Sequence, residues 1–135
     1  MKKLVLILLL PIAFQSIGQE PKEILQSIYF GGGSYYIGGE QRQSLLELIS
    51  TIPNLETYEI SITSHTDNIG SKEFNLYLSQ MRSQSVINQL IRFNVPEELI
   101  KYKDFGKEAP VYDNETWEGR FRNRRVDILF SPTVL

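Results

Sequence analysis

The chain has 135 residues and a mass of 15.6 kDa, enough for one globular domain and little more. It carries 14 Lys and Arg against 16 Asp and Glu, a formal net charge of -2, which argues against the strongly basic surface of a nucleic-acid-binding protein. It contains no cysteine, which excludes disulfides, thiolate metal ligands, cysteine nucleophiles and a lipid-modified N-terminal cysteine.

The N-terminus has the pattern of a secretory signal peptide. Two lysines precede an unbroken apolar run over residues 4–10, and Ser16 and Gly18 place small residues at the -3 and -1 positions of a cleavage site. The alternative is a membrane anchor, but the run is too short to cross about 30 Å of hydrocarbon. We expect a signal peptide over residues 1–18, export to the periplasm and no transmembrane span in the mature chain. Association with the outer membrane or cell wall stays open.

The first half of the mature chain shows a strand, a helix and a second strand. Residues 19–27 are polar and are interpreted as a short leader, and the apolar segment 28–30 is interpreted as a strand that stops at the glycines of 31–33. Apolar residues at spacings of three and four predict a helix over 40–52, which a proline ends. Strict alternation predicts a half-buried strand over 58–63.

The second half predicts one long helix and two further strands. Ser71 is a plausible N-cap for a helix over 72–93. Residues 101–105 are interpreted as a short strand, a loop follows, and 124–130 are interpreted as the final strand. This order predicts an α/β sandwich of β-α-β-α-β-β type, with a mixed four-stranded sheet and helices packed on it.

Two opposite charges fall near one place in this fold. Asp67 follows the carboxyl end of the second strand, a favoured position for ligand-binding groups in open α/β sheets. Asn75, Ser79 and Arg82 share one polar stripe of the long helix, whose side chains lean back toward its start. An anion and a cation could therefore flank a small site. From spacing alone, the alternative that Asp67 caps the helix while Arg82 is a solvated surface charge stays open.

Histidine and arginine residues nearby suggest other chemistry. His65 forms a His-x-Asp pair with Asp67, but a metal site usually needs three or four ligands and the chain has no second histidine. A structural role for His65 is therefore favoured over a metal or catalytic one. Arginines crowd the segment before the last strand, where phosphate binding is disfavoured by the net acidity and by export. We expect one of them to join the Asp67 site and others to pair with carboxylates: Arg120, Arg122, Arg124 and Arg125.

Three sequence blocks, in order, strongly resemble the OmpA-like peptidoglycan-binding domain. Residues 64–71 (SHTDNIGS) resemble its Gly-His-Thr-Asp block, residues 75–82 (NLYLSQMR) its Asn-x-x-Leu-Ser-x-x-Arg block, and residues 119–126 (GRFRNRRV) its Gly-Arg-x-x-Asn-Arg-Arg-Val block. The resemblance covers about residues 28–131.

The resemblance implies a non-catalytic domain that binds the bacterial cell wall, with no cofactor and no metal. It implies that Asp67 and Arg82 hold the free zwitterionic end of a meso-diaminopimelate stem peptide, with Thr66 and Asn75 beside them. Arg125 is a weaker candidate from the third block. Retention on the wall would need an envelope protein partner or self-association.

The chain departs from the family pattern in three segments. Glycines occupy 31–33, where the family often has Asp and Asn, so those side-chain contacts would be absent. Ser64 replaces a glycine and is expected to narrow the pocket, and Asp104 replaces another glycine. Two alternatives therefore remain beside wall binding: a structural or scaffolding subunit of an envelope complex with weak or no wall affinity, and an envelope enzyme. From the sequence, Arg82→Ala is expected to abolish wall binding with a nearly unchanged melting temperature.

Overall fold

The computed structural model describes residues 20–108 and 110–133, so the predicted signal peptide, residues 1–18, lies outside the described residues. The helices and strands follow one another as β1 (Ile24–Tyr29), α1 (Gly39–Thr51), β2 (Tyr58–His65), α2 (Lys72–Arg92), β3 (Ile100–Gly106), α3 (Trp117–Asn123) and β4 (Arg125–Pro132). Short 3₁₀ turns at Leu55–Thr57 and Glu97–Leu99 precede β2 and β3.

The strands form one mixed sheet in the order β1-β4-β2-β3. β4 lies between β1 and β2 and is antiparallel to both, whereas β2 and β3 are parallel. A parallel pair needs a long crossover, and α2 supplies it. The mixed four-stranded sheet with its helices confirms the α/β fold predicted from the sequence.

The core lies between one face of the sheet and helices α1 and α2. Alternate residues of β2, including Ile60 and Ile62, are buried on this face, as the period-two pattern predicts. Leu45 of α1 and Val86 and Leu90 of α2 belong to the same apolar cluster and are fully buried. Within the described ranges, no helix combines the length and the apolar character needed to cross a bilayer.

Helix α2 has a cap at each end. The Ser71 hydroxyl accepts a hydrogen bond from the backbone N–H of Phe74 at 3.1 Å, which confirms Ser71 as the N-cap. The helix ends before Asn94, whose φ of 63° lies in the left-handed region common just beyond helix ends, and Pro96 follows. The long helix is therefore fixed at both ends by signals that the sequence carries.

Strand β1 begins at Ile24, so the predicted start at residue 28 is wrong, and the polar leader is shorter than residues 19–27. The first part of the strand was missed because the polar residues Gln26 and Ser27 interrupt the apolar run, although both still pair with β4. Ile24 pairs with Phe130, and the ladder with β4 continues to Tyr29.

The loop predicted between β3 and β4 contains a third helix. Thr116 caps α3, because its hydroxyl accepts a hydrogen bond from the N–H of Gly119 at 2.9 Å. The helix has seven residues, and its one aromatic pair at a spacing of four, Trp117 and Phe121, is too short a pattern for periodicity to reveal it. Arg124 is the C-cap of α3, and β4 begins one position later, at Arg125.

Gly106 holds the ends of β2, β3 and α2 together. Its φ is +57°, and a Cβ there would lie 3.0 Å from the backbone nitrogen of Leu76 in α2. Its carbonyl accepts a hydrogen bond from the N–H of Thr66 at 2.8 Å, and its N–H donates to the Ser79 hydroxyl at 3.2 Å. Only glycine permits this approach without strain, and the approach fixes where the segment after β2 lies against α2.

Candidate functional site

A cavity of about 290 Å³ opens where β2 ends and α2 begins. Both residues of the predicted charge pair, Asp67 and Arg82, line it. Its other walls come from the glycine loop, the first turns of α2 and the end of α3: Gly32, Gly33, Ile69, Phe74, Asn75, Leu78 and Arg124. The tertiary structure therefore brings the predicted anion and cation to one shared opening.

The Asp67 carboxylate is held in place from two sides. Its Oδ1 accepts a hydrogen bond from the backbone N–H of Ile69 at 3.0 Å, and its Oδ2 lies 3.2 Å from Nη1 of Arg124. Its side chain is only 8% exposed. Since Ser71 is the N-cap of α2, Asp67 does not cap that helix, and that interpretation is wrong. The carboxylate is instead a fixed negative charge on the cavity wall.

Arg82 is fully buried, which excludes the interpretation of a solvated surface charge. Its Nε donates to the carbonyl of Ser34 at 2.8 Å, and Nη2 donates to that of Gly31 at 3.0 Å. Nη1 donates to the carbonyl of His65 at 3.2 Å. Three of the five guanidinium N–H groups are thus bound to backbone carbonyls of described residues, which leaves two for a ligand in the cavity. The same side chain fixes the glycine loop and contributes to the site.

The cavity carries an excess of positive charge. Burial lowers the pKa of Arg82 to about 10; Asp67 opposes this shift, whereas the Arg124 guanidinium adds to it. Arg82 is therefore still a cation at neutral pH. With Arg82 and Arg124 facing one carboxylate, an anionic group of a ligand is favoured beside the two arginines.

The two polar candidates near the charge pair differ in position. Asn75 lines the cavity, and its amide nitrogen donates to the carbonyls of Ile69 at 2.8 Å and Ser71 at 3.1 Å. Both amide hydrogens are thus used to fix the turn before α2. Thr66 is buried and does not line the cavity; its hydroxyl donates to the carbonyl of Asp67 at 3.0 Å. Thr66 therefore shapes the backbone behind the carboxylate.

Arg124, and not Arg125, is the arginine that the structure places at Asp67. Nε of Arg124 donates to the carbonyl of Phe30 at 3.0 Å, while its Nη1 reaches Asp67. Arg125 points to a different carboxylate, with its Nε 3.1 Å from Asp127, and it does not line the cavity. Arg124 is the C-cap of α3 and Arg125 is the first residue of β4, so the two arginines separate at the junction between helix and strand. The expectation that one arginine of the cluster joins Asp67 is met by Arg124.

Neighbours of the site have structural contacts. The His65 ring stacks on Phe105, with centroids 5.4 Å apart, and its carbonyl accepts from Arg82. Within residues 20–108 and 110–133, no group of three or more His, Cys, Asp or Glu side chains could hold a metal ion. Ser64 is buried and does not line the cavity, so its side chain does not narrow it.

Asp104, which replaces a glycine of the family pattern, is expected to make the free energy of unfolding depend on pH. The Asp104 carboxylate accepts a hydrogen bond from the Ser83 hydroxyl of α2, and burial raises its pKa above the ordinary value of 3.8 although this bond opposes the shift. The Asp104 carboxyl thus binds a proton more tightly in the folded protein than in the unfolded chain. The stabilisation of the folded state by this proton is fully present below pH 3.8 and is lost as pH rises through the pKa of Asp104 in the folded state.

We expect Asp104→Asn to be more stable than wild type at pH 7 and to lose this advantage by pH 3, because the amide oxygen still accepts from Ser83 without a charge. Urea unfolding at a series of pH values measures the difference. A free-energy difference that stays constant from pH 3 to pH 7 would contradict the assignment.

A model of the OmpA family matches residues 29–124. The chain belongs to the OmpA family. This match runs from the last residue of β1 to the end of α3 and includes every residue of the cavity wall.

Relatives of this OmpA-family chain include envelope proteins. It is 29% identical over 102 residues to the outer-membrane lipoprotein YfiB of Pseudomonas aeruginosa, covering 76% of this chain and 61% of that protein. It is 37% identical over 70 residues to the peptidoglycan-binding protein ArfA of Mycobacterium bovis, covering 52% of this chain and 22% of that protein. The chain thus spans less than two thirds of the length of either relative.

A solved structure supports the same assignment. The peptidoglycan-associated lipoprotein of Burkholderia pseudomallei superposes with a TM-score of 0.72 at 28% sequence identity, covering 78% of this chain and 89% of that one. The OmpA-like fold is therefore shared over nearly the whole described domain.

Proposed function

We propose that this OmpA-family domain is a non-catalytic module of the cell envelope that binds peptidoglycan through the free end of meso-diaminopimelate. In this proposal a signal peptide over residues 1–18 directs the chain to the periplasm. The observation that supports it is the shared cavity, whose wall contains both Asp67 and Arg82. Names of relatives, peptidoglycan-binding protein and peptidoglycan-associated lipoprotein among them, support the same class of ligand.

The chemistry of the ligand end matches the charges of the cavity. Diaminopimelate ends in one carbon that carries both an ammonium and a carboxylate. Asp67 accepts hydrogen bonds from the ammonium of the ligand. The carboxylate of the ligand accepts hydrogen bonds from the two N–H groups of Arg82 that do not donate to backbone carbonyls. Arg124 adds a second positive charge on the carboxylate side. The excess positive charge predicts that the carboxylate contributes more to recognition than the ammonium does.

The size and the walls of the cavity favour an amino-acid end rather than a larger group. A volume of about 290 Å³ is at the small end of ligand pockets. Ile69, Phe74 and Leu78 give it an apolar side, against which the methylene chain of diaminopimelate would pack. A small cavity lined by both charged and apolar residues suits a zwitterion at the end of a short hydrocarbon chain.

The glycine loop alters how tightly such an end is held. Gly32 and Gly33 line the cavity without side chains, so the loop supplies only backbone groups to a ligand. Charge-assisted hydrogen bonds contribute about 1.5–3 kcal/mol each, and the loss of freedom on association offsets several kcal/mol. We expect a dissociation constant on the order of micromolar to millimolar for one stem peptide. A partner or self-association would raise retention on the wall.

A structural or scaffolding role in an envelope complex is the second candidate. It is favoured by the three backbone carbonyls that Arg82 holds, since an arginine used in this way stabilises the loop whether or not a ligand binds. The two candidates differ in one measurable property, the affinity of the domain for wall fragments.

The decisive experiment compares two stem peptides that differ by one carboxylate. The tripeptide L-Ala-γ-D-Glu-meso-diaminopimelate is titrated against the same tripeptide with L-lysine in the third position, and amide NMR shifts are followed. Lysine keeps the ammonium and removes the carboxylate that faces the arginines. We expect the diaminopimelate peptide to bind about 10- to 100-fold more tightly, as loss of a charge-assisted hydrogen bond predicts.

Amide shifts should map to the cavity wall, with Ile69 and Asn75 among them. Equal affinities for the two peptides would contradict the zwitterion proposal. No binding of either peptide, together with no sedimentation of the domain with purified sacculi, would favour the scaffolding role.

A further inference from the structure

An exposed stack of aromatic rings lies outside the cavity. Trp117, the single tryptophan of the chain, is 71% exposed and stacks on Phe121, with centroids 5.8 Å apart and an interplanar angle of 12°. Phe121 stacks in turn on Tyr29, at 5.5 Å and 8°. We call Tyr29, Phe121 and Trp117 the aromatic stack. Phe121 stacks with both other rings, and Trp117, which is 71% exposed, leaves most of its ring open to solvent.

Arg124 connects this aromatic stack to the cavity. Its guanidinium lies 5.5 Å from the centre of the Phe121 ring, while its Nη1 lies 3.2 Å from the Asp67 carboxylate. The cavity wall and the aromatic stack therefore share Arg124 as a common neighbour. An exposed tryptophan that stacks with further aromatic rings forms a larger apolar patch than a single surface residue does, and such patches often mark binding sites.

We propose that the aromatic stack binds a sugar ring of the wall glycan, next to the stem peptide whose end occupies the cavity. This inference rests on the proposed function, because the sugar reaches the stack as part of the same wall fragment. A pyranose has an apolar face of C–H groups and a polar edge of hydroxyl and amide groups. The exposed ring of Trp117 is flat and apolar, and its surroundings are polar: Arg122 pairs with Glu118 at 2.7 Å, and Arg120 donates to the carbonyl of Asn114.

The size of the patch favours a sugar over a protein partner. A stable protein interface buries about 800 Å² on each partner around an apolar centre. The aromatic stack offers one open ring bordered by charged side chains, which is far smaller. One ring with hydrogen-bonding groups at its edge fits the apolar face and polar edge of a single pyranose.

The reach of the wall fragment also fits. Two residues, alanine and a γ-linked glutamate, separate diaminopimelate from the muramic acid of the glycan. The γ-linkage adds two carbons to the path, so the two residues span about 10 Å when extended. From the Arg124 guanidinium, the Phe121 ring is 5.5 Å away, and the Trp117 ring is a further 5.8 Å along the stack. A stem peptide fixed in the cavity by its third residue therefore brings its sugar to the distance of the aromatic stack.

The test compares the diaminopimelate tripeptide with the same tripeptide attached to its N-acetylglucosamine–N-acetylmuramic acid disaccharide. We expect wild type to bind the disaccharide form about three- to tenfold more tightly, the range that an aromatic contact gives. Because Trp117 is the single tryptophan, its fluorescence should change with the disaccharide form and stay nearly constant with the tripeptide.

Trp117→Ala should remove the advantage of the disaccharide form and leave the tripeptide affinity unchanged, whereas Trp117→Phe should keep most of the advantage. Tyr102→Ala is the matched control, since Tyr102 is 65% exposed but lies on β3, outside the aromatic stack and the cavity wall. An unchanged advantage in Trp117→Ala, or an equal loss for both ligands, overturns the inference.

Failure of this inference is distinguishable from failure of the proposed function. If the tripeptide binds wild type and its binding depends on Asp67, but the disaccharide gives no advantage, the sugar site alone is wrong. If neither ligand binds wild type, the proposed function and the sugar site are both wrong.

Discussion

Replacing Arg82 by alanine is expected to lower the melting temperature by more than about 10 °C and to abolish binding of the diaminopimelate peptide. The side chain is fully buried and donates to three backbone carbonyls, those of Gly31, Ser34 and His65. Its loss leaves these acceptors unpaired and opens a cavity, at a cost of about 3–5 kcal/mol. Thermal unfolding followed by circular dichroism measures the stability, and peptide titration measures the binding.

The control for Arg82→Ala is Arg92→Ala, in the exposed last turn of the same helix. We expect that variant to melt within a few degrees of wild type, because surface substitutions usually change stability by less than about 0.5 kcal/mol. A melting temperature of Arg82→Ala as high as that of Arg92→Ala would show that the hydrogen bonds of Arg82 do not stabilise the glycine loop. The sequence alone led to the expectation that Arg82→Ala would keep its melting temperature; the burial of Arg82 reverses that expectation.

Replacing Asp67 by asparagine is expected to weaken binding of the diaminopimelate peptide about 10- to 100-fold and to prevent sedimentation with sacculi. The amide keeps the shape of the side chain and an oxygen that accepts from the N–H of Ile69. It removes the negative charge opposite the ligand ammonium and leaves Arg124 without its carboxylate. Isothermal titration of the purified peptide measures the loss.

Asp127→Asn provides a matched control for Asp67→Asn. Asp127 pairs with Arg125 at 3.1 Å much as Asp67 pairs with Arg124 at 3.2 Å, but it does not line the cavity. Both variants lose one carboxylate–guanidinium pair, so the two should lose similar stability while only Asp67→Asn loses affinity. Equal affinities in the two variants would remove Asp67 from the proposed site.

Local patterns predicted the elements that have strong periodicity or caps. β2 alternates between buried and half-buried positions over residues 58–63, and α2 begins after Ser71, as their sequences indicate. The first residues of β1 and the whole of α3 were missed for a common reason. β1 is extended by the pairing of the polar Ser27 with Asp127, and the seven-residue α3 begins at a single cap, Thr116. Neither feature creates a periodic apolar pattern in the sequence.

The sequence by itself determined the α/β class, the long capped helix and the presence of one acidic and one basic residue near a common end of the sheet. Those properties follow from side-chain chemistry and from spacing along one element, which a linear sequence contains. Only the tertiary structure decided that Arg82 is buried among backbone carbonyls and that Arg124 faces Asp67. Both contacts join residues that are distant along the chain, and their geometry depends on how the sheet, the glycine loop and two helices pack together.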